Sequence, residues 1–155
     1  MKIRYIFLAL MAFTVNSDAK DWPVTPAALQ KGIEQLAKTQ QASEYCAARR
    51  VIADKSRLSV VVFTLEGSCI GLSSTAIGTC SNQWTRYMIA SNGKQVSEPI
   101  KIGGKGSLND TSIKIVGDII QVNGLSQGPH DAMCCPSIPA HQNYILSGSR
   151  LSLYP

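Results

Sequence analysis

The sequence predicts an α+β fold: one N-terminal helix packed on an antiparallel β-meander of six to eight strands, forming a sandwich or partly closed barrel, stapled by disulfides. Three observations predict it. Helical periodicity is confined to one stretch near residue 30, and everything after residue 58 reads as short β-branched runs separated by Gly-, Ser- and Asn-containing turns. Cysteines stand at positions 46, 69, 80, 134 and 135, a usage suited to bridges in an exported domain.

The first element is a leader. Lys2 and Arg4 form a short positive region, residues 5–13 are apolar, and residues 14–19 are small or polar. Ser17 and Ala19 stand three and one positions before a cut after Ala19, as in a removable signal peptide. The apolar run falls well short of the ~20 residues that span a bilayer as a helix. Residues 1–19 are therefore read as a signal peptide and residues 20–155 as a single β-rich domain, periplasmic or secreted, with no transmembrane segment in the mature chain. No cysteine follows the apolar run, so a lipid-anchored form is not expected.

Next comes the helix, expected over residues 26–41, with Thr25 as its N-cap and Pro26 at the first helical position. Leu29, Ile33, Leu36 and Ala37 share one face of it. The β-branched Val51-Ile52 set a limit on any continuation past Tyr45 and Ala48. Residues 58–65 contain Val60-Val61-Val62-Phe63 and predict a buried strand. Residues 71–82 read as a surface loop between Cys69 and Cys80. Further strands are expected over residues 83–90 and 95–102, joined by an Asn92-Gly93 hairpin turn. Gly103-Gly104-Lys105-Gly106 reads as a turn, because it lacks the spacing and the following Lys-Ser/Thr of a phosphate loop. Residues 112–122 and 143–153 each read as strand, Gly-centred turn, strand.

Charge limits the partners. The chain carries 15 basic and 10 acidic residues; losing Lys2, Arg4 and Asp18 with the leader leaves 13 and 9, a net +4. The charges are scattered, with Arg49-Arg50 the only adjacent basic pair, so no nucleic-acid stripe is expected. They read as solvated surface instead. Arg86-Tyr87 reads as an outward-facing strand pair, Glu66 and Glu98 as solvated acids, and Trp22 and Trp84 as packing residues. Two carboxylates at glycosidase separation are not indicated by any spacing.

Five cysteines leave at least one unpaired or bridged between chains. Cys69 with Cys80 is the natural local pair, and Cys46 with Cys134 or Cys135 would tie the N-terminal segment to the C-terminal sheet. A bond between the adjacent Cys134 and Cys135 is disfavoured by the strained ring it closes. Each bridge would contribute about 2–4 kcal/mol.

The densest constellation lies in residues 128–141, where His130, Asp131, Met133, Ser137 and His141 surround the cysteine pair. A connection of this length is either functional or held by its own contacts. The preferred reading is structural, with prolines stiffening the loop and one cysteine stapled to Cys46. The alternatives are a reactive thiol beside a bridged neighbour, a metal site from Cys134, Cys135, His130 and His141, and a Cys-His nucleophilic pair. The spacing matches no closed zinc site, and neither a metal nor another cofactor is expected.

The segment Asp131-Ala132-Met133-Cys134-Cys135-Pro136-Ser137, with Tyr144 and the Gly148-centred end after it, resembles small secreted bacterial proteins that carry an Asp-x-x-Cys-Cys-Pro-Ser stretch, including the LppP/LprE-type envelope lipoproteins. The likeness covers about the last third of the chain, which lacks the lipidation cysteine of those lipoproteins. It implies export and a β-rich tail, and carries over no catalytic residue. The functional expectation is a non-enzymatic periplasmic or secreted binding protein with a protein or cell-envelope partner, in one version an inhibitor or immunity protein of an envelope-acting enzyme. A thiol-dependent enzyme using Cys134 or Cys135 and a structural envelope protein are the alternatives.

Overall fold

The computed structural model describes residues 23–53, 57–67, 83–132 and 134–155 of the chain. The leader, Trp22, the expected Cys69–Cys80 bridge and Met133 lie outside the described residues. Helix α1 (Ala27–Thr39) leads into β1 (Ser43–Glu44), a 3-10 turn (Cys46–Ala48) and β2 (Arg50–Ala53). The remaining strands are β3 (Ser59–Glu66), β4 (Trp84–Ser91), β5 (Ile100–Gly104), β6 (Asn109–Val116), β7 (Ile119–Ser126), β8 (Ile138–Ser147) and β9 (Arg150–Tyr154).

The strands form two antiparallel sheets. One has the order β3-β4-β5, with β1 and β2 both paired along the outer edge of β3, and the other has the order β6-β7-β8-β9. Successive residues of a strand face opposite ways, so β3 supplies both interiors. Val60 and Val62 pack with Met88, Ala90, Ile120 and Val122 between the sheets. Val61, Phe63 and Leu65 pack with Leu29, Ile33 and Ile89 under the helix. The molecule is thus three layers, helix on sheet on sheet. A strand covered on both faces needs apolar residues at consecutive positions, which is why Val60 to Phe63 do not alternate.

The expected architecture is present, as a sandwich and not a closed barrel. The strand number exceeds the expected range because the edge of β3 is covered by two short pieces, β1 and β2, which the 3-10 turn separates. Helix α1 starts one residue later than expected. Thr25 does not cap it: its hydroxyl donates to the Pro23 carbonyl (2.9 Å) and accepts from Arg49 (3.0 Å), and Pro26 occupies the cap position. The helix ends at Thr39, and Gln41 reverses the chain with a positive φ of 49°. The strand expected from residue 95 begins at Ile100. Before it, only Val96 bridges to Ser91, and Pro99, without an N–H, cannot extend the ladder.

Two glycines set how closely the layers approach. A side chain at Gly32 would run into Ile89 Cδ1, so glycine lets the helix lie close on β4. A side chain at Gly124 would run into the backbone of Asn109 and Asp110. That contact falls where β6 carries a register shift between Asp110 and Ser112, and it fixes the depth at which Asp110 sits.

The adjacent Arg49 and Arg50 part company. Arg49 is buried against the helix side, where its guanidinium grips the Glu44 carboxylate at 2.7 and 2.5 Å and donates to Gln30 (2.7 Å). Arg50 reaches the other way, to the carboxylate and main-chain oxygen of Asp110 on β6. The two halves of the basic pair tie the short edge strand to both of its neighbouring layers.

Candidate functional site

The loop singled out in the sequence joins β7 to β8 and is organised by one carboxylate. Asp131 Oδ2 accepts the Gly128 N–H (2.7 Å) and the Ser137 N–H (2.8 Å), and Oδ1 accepts the Ser137 hydroxyl (2.8 Å). Gln127 Nε2 donates to the carbonyls of Asp131 (3.0 Å) and Ala132 (2.7 Å), pinning the loop from its base. The Cys135 N–H donates to the Ala132 carbonyl (2.9 Å), closing a turn at the tip. Pro129, His130, Cys134, Cys135 and Ser137 are exposed. The loop is thus ordered by its own hydrogen bonds while its tip faces solvent.

The bond expected between Cys46 and this loop is not formed. Cys134 and Cys135 lie within disulfide distance of each other, and Cys46 is free. The reason lies in the topology: Cys46 belongs to the 3-10 turn packed on β3 in the first sheet, while the cysteine pair extends from the end of the second sheet. The adjacent cysteines thus stand as a pair at the loop tip. His141 also leaves the loop. It stands on β8 opposite Asn123 and hydrogen-bonds that side chain at 2.5 Å. Among the described residues no group of three or more His, Cys, Asp or Glu side chains is placed to hold a metal.

The hydrogen bonds from Gly128, then from Ser137, hold the Asp131 carboxyl below the usual aspartate range. A depressed folded value means that these bonds stabilise the loop above the ordinary aspartate value of 3.8 and are lost as pH falls through the lower, folded value. The Gly128 and Ser137 amide resonances are therefore expected to titrate with a midpoint below 3.8. An NMR titration checks this, and a midpoint at or above the ordinary value would show that Asp131 is not held.

A second feature escaped the sequence reading. Across β3 and β4 the facing pairs on the inter-sheet side run Val60 with Ala90, Val62 with Met88, Thr64 with Arg86 and Glu66 with Trp84. The row is apolar for two pairs and polar for the next two. Where it turns polar, Thr64, Arg86, Glu66 and Trp84 line a cleft of about 480 Å³ together with Tyr45, Arg50 and Asp110. Arg86 is not an outward residue. It is buried, with Nε 2.8 Å from Asp110 Oδ1, and Nη1 donating to the Ala48 carbonyl (2.6 Å) and to the Thr64 hydroxyl (2.9 Å). Asp110 binds Arg50 with the same carboxylate. Trp84 and Glu66 stand at the rim of this cleft and not in a core or on open surface. The signal was present in the alternation of residues 60–66 and 84–90, legible once the two strands were paired.

Comparison with protein-family models, curated proteins and solved structures finds no match for the chain.

Proposed function

We propose that the chain is an exported, non-enzymatic binding protein whose β7–β8 loop is the partner-facing element, delivered to the periplasm or the exterior after cleavage of residues 1–19. The observation that carries this reading is the Asp131 carboxylate, which accepts bonds from Gly128 and Ser137 in an exposed loop. Ordering a loop before it meets its partner removes part of the entropy cost of association. The surrounding prolines, and the Cys134–Cys135 pair at the tip where it is bonded, act in the same direction. An inhibitor or immunity protein, which fills the cleft of an envelope-acting enzyme with a stiff insert, is the specific form that such a loop fits.

The test is capture of an envelope partner by the mature chain, followed by the same capture with Asp131→Ala and with Ser137→Ala. Both variants are expected to fold with unchanged melting curves, because the loop lies outside the two cores, and to lose affinity by about tenfold or more. Unchanged affinity in both would overturn the assignment to this loop. Mass measurement of the exported product addresses delivery, with loss of residues 1–19 expected.

A further inference from the structure

We propose that the cleft lined by Glu66, Trp84, Tyr45 and the Arg86–Asp110 pair is a saccharide site, sized for a mono- or disaccharide. Its volume of about 480 Å³ lies within the range of small-ligand pockets. Its charges balance: Arg50 and Arg86 are opposed by Asp110 and Glu66. An anion would meet two carboxylates and a cation two guanidinium groups, so neither is favoured. An apolar ligand would strip water from Glu66, which has no partner among the described residues, and leaving a desolvated carboxylate unpaired is costly.

What remains is an uncharged ligand rich in hydroxyls. The Trp84 indole N–H, the Tyr45 hydroxyl and the Asn109 amide are also unpartnered among the described residues, and Arg50 keeps 41% of its side chain exposed. The cleft therefore offers unused donors and acceptors together with two aromatic rings. A pyranose is complementary to that set. Its C–H face is weakly positive and rests on the negative face of an aromatic ring, while its rim of hydroxyls donates to carboxylate and accepts from guanidinium and amide. The Arg86–Asp110 pair, fixed by Thr64 and Ala48, forms a rigid floor and leaves Glu66, Trp84 and Tyr45 as the contacting groups.

Titration calorimetry of the mature chain with cellobiose, maltose and chitobiose tests this, with sodium phosphate and sodium acetate as ionic comparators. A pelleting assay with purified peptidoglycan sacculi forms a second arm. Saturable binding of at least one disaccharide is expected, little changed by raising salt to about 0.5 M, because no net charge drives it. Glu66→Gln and Trp84→Ala, with melting curves checked, are expected to weaken it by about tenfold or more, since the first replaces a charged acceptor by a weaker neutral one and the second removes the stacking face. Glu66→Gln is the variant that tests the site if Trp84→Ala disturbs the fold. Binding of the free disaccharides identifies a soluble sugar, and sacculus binding displaced by chitobiose identifies a glycan strand; either supports the proposal. Overturning results are no saturable binding in either arm, tighter binding of phosphate or acetate, or binding indifferent to Glu66→Gln. Asp131→Ala is expected to leave sugar binding intact, so failure of the loop assignment and failure of this one are distinguishable.

Discussion

Replacing Asp110 by alanine is expected to lower the stability of the fold by about 3–5 kcal/mol, because it removes the anion from a buried charge cluster and leaves the Arg86 guanidinium without its counter-charge. Side-chain exposure is 6% for both Arg86 and Asp110, so most of the pair is withdrawn from water in the native state. The remaining partners of Arg86, the Ala48 carbonyl and the Thr64 hydroxyl, are neutral. The cluster also joins layers, since Asp110 belongs to β6 while Arg86 and Arg50 belong to β4 and β2. Denaturant titration measures the effect. The double variant Arg86→Met with Asp110→Leu is expected to recover at least half of the loss, as two buried charges are replaced by apolar side chains of similar size. A loss below about 1 kcal/mol for Asp110→Ala would place the cluster in the class of solvated surface pairs.

That cluster also marks where the sequence stopped being readable. The helix, the buried strand β3, the hairpin turns at Asn92 and Gly117 and the Asp131 loop all follow from local signals: periodicity, β-branching, turn residues and a short polar motif. Those signals act over a few residues. The Arg86–Asp110–Arg50 cluster joins residues up to 60 apart in the chain, and no local pattern separates a buried arginine from a solvated one. Scattered charge therefore reads as surface in the sequence, although Arg49 and Arg86 are buried in the fold. The bond expected between Cys46 and the loop is missing for the same reason. Which cysteines meet depends on which sheet each belongs to, and the division into two sheets becomes visible only when β5 and β6 part. His141 lies on β8 although Pro139, a poor strand signal, stands two residues before it; the antiparallel ladder accommodates that proline opposite Leu125.

Phe63→Ala is expected to cost about 3–5 kcal/mol, a large share of the ~5–15 kcal/mol that holds a domain of this kind together. Phe63 is fully buried in the layer between the helix and the first sheet, where Leu29, Ile33 and Ile89 surround it. It also stacks on Tyr87, with ring centroids 5.7 Å apart and an interplanar angle of 22°, a contact worth about 0.5–1.5 kcal/mol beyond the area buried. Alanine would leave a void that helix α1 cannot fill, because Gly32 already lets it lie against Ile89. Phe63→Leu keeps most of the volume and is expected to cost under about half as much. Hydrogen exchange separates the layers: α1 amides are expected to lose protection in Phe63→Ala before those of β7 and β8, which pack around Ile120, Val122 and Tyr144 on the far side of the first sheet. Equal loss in both regions would show that the helix and the second sheet unfold as one unit.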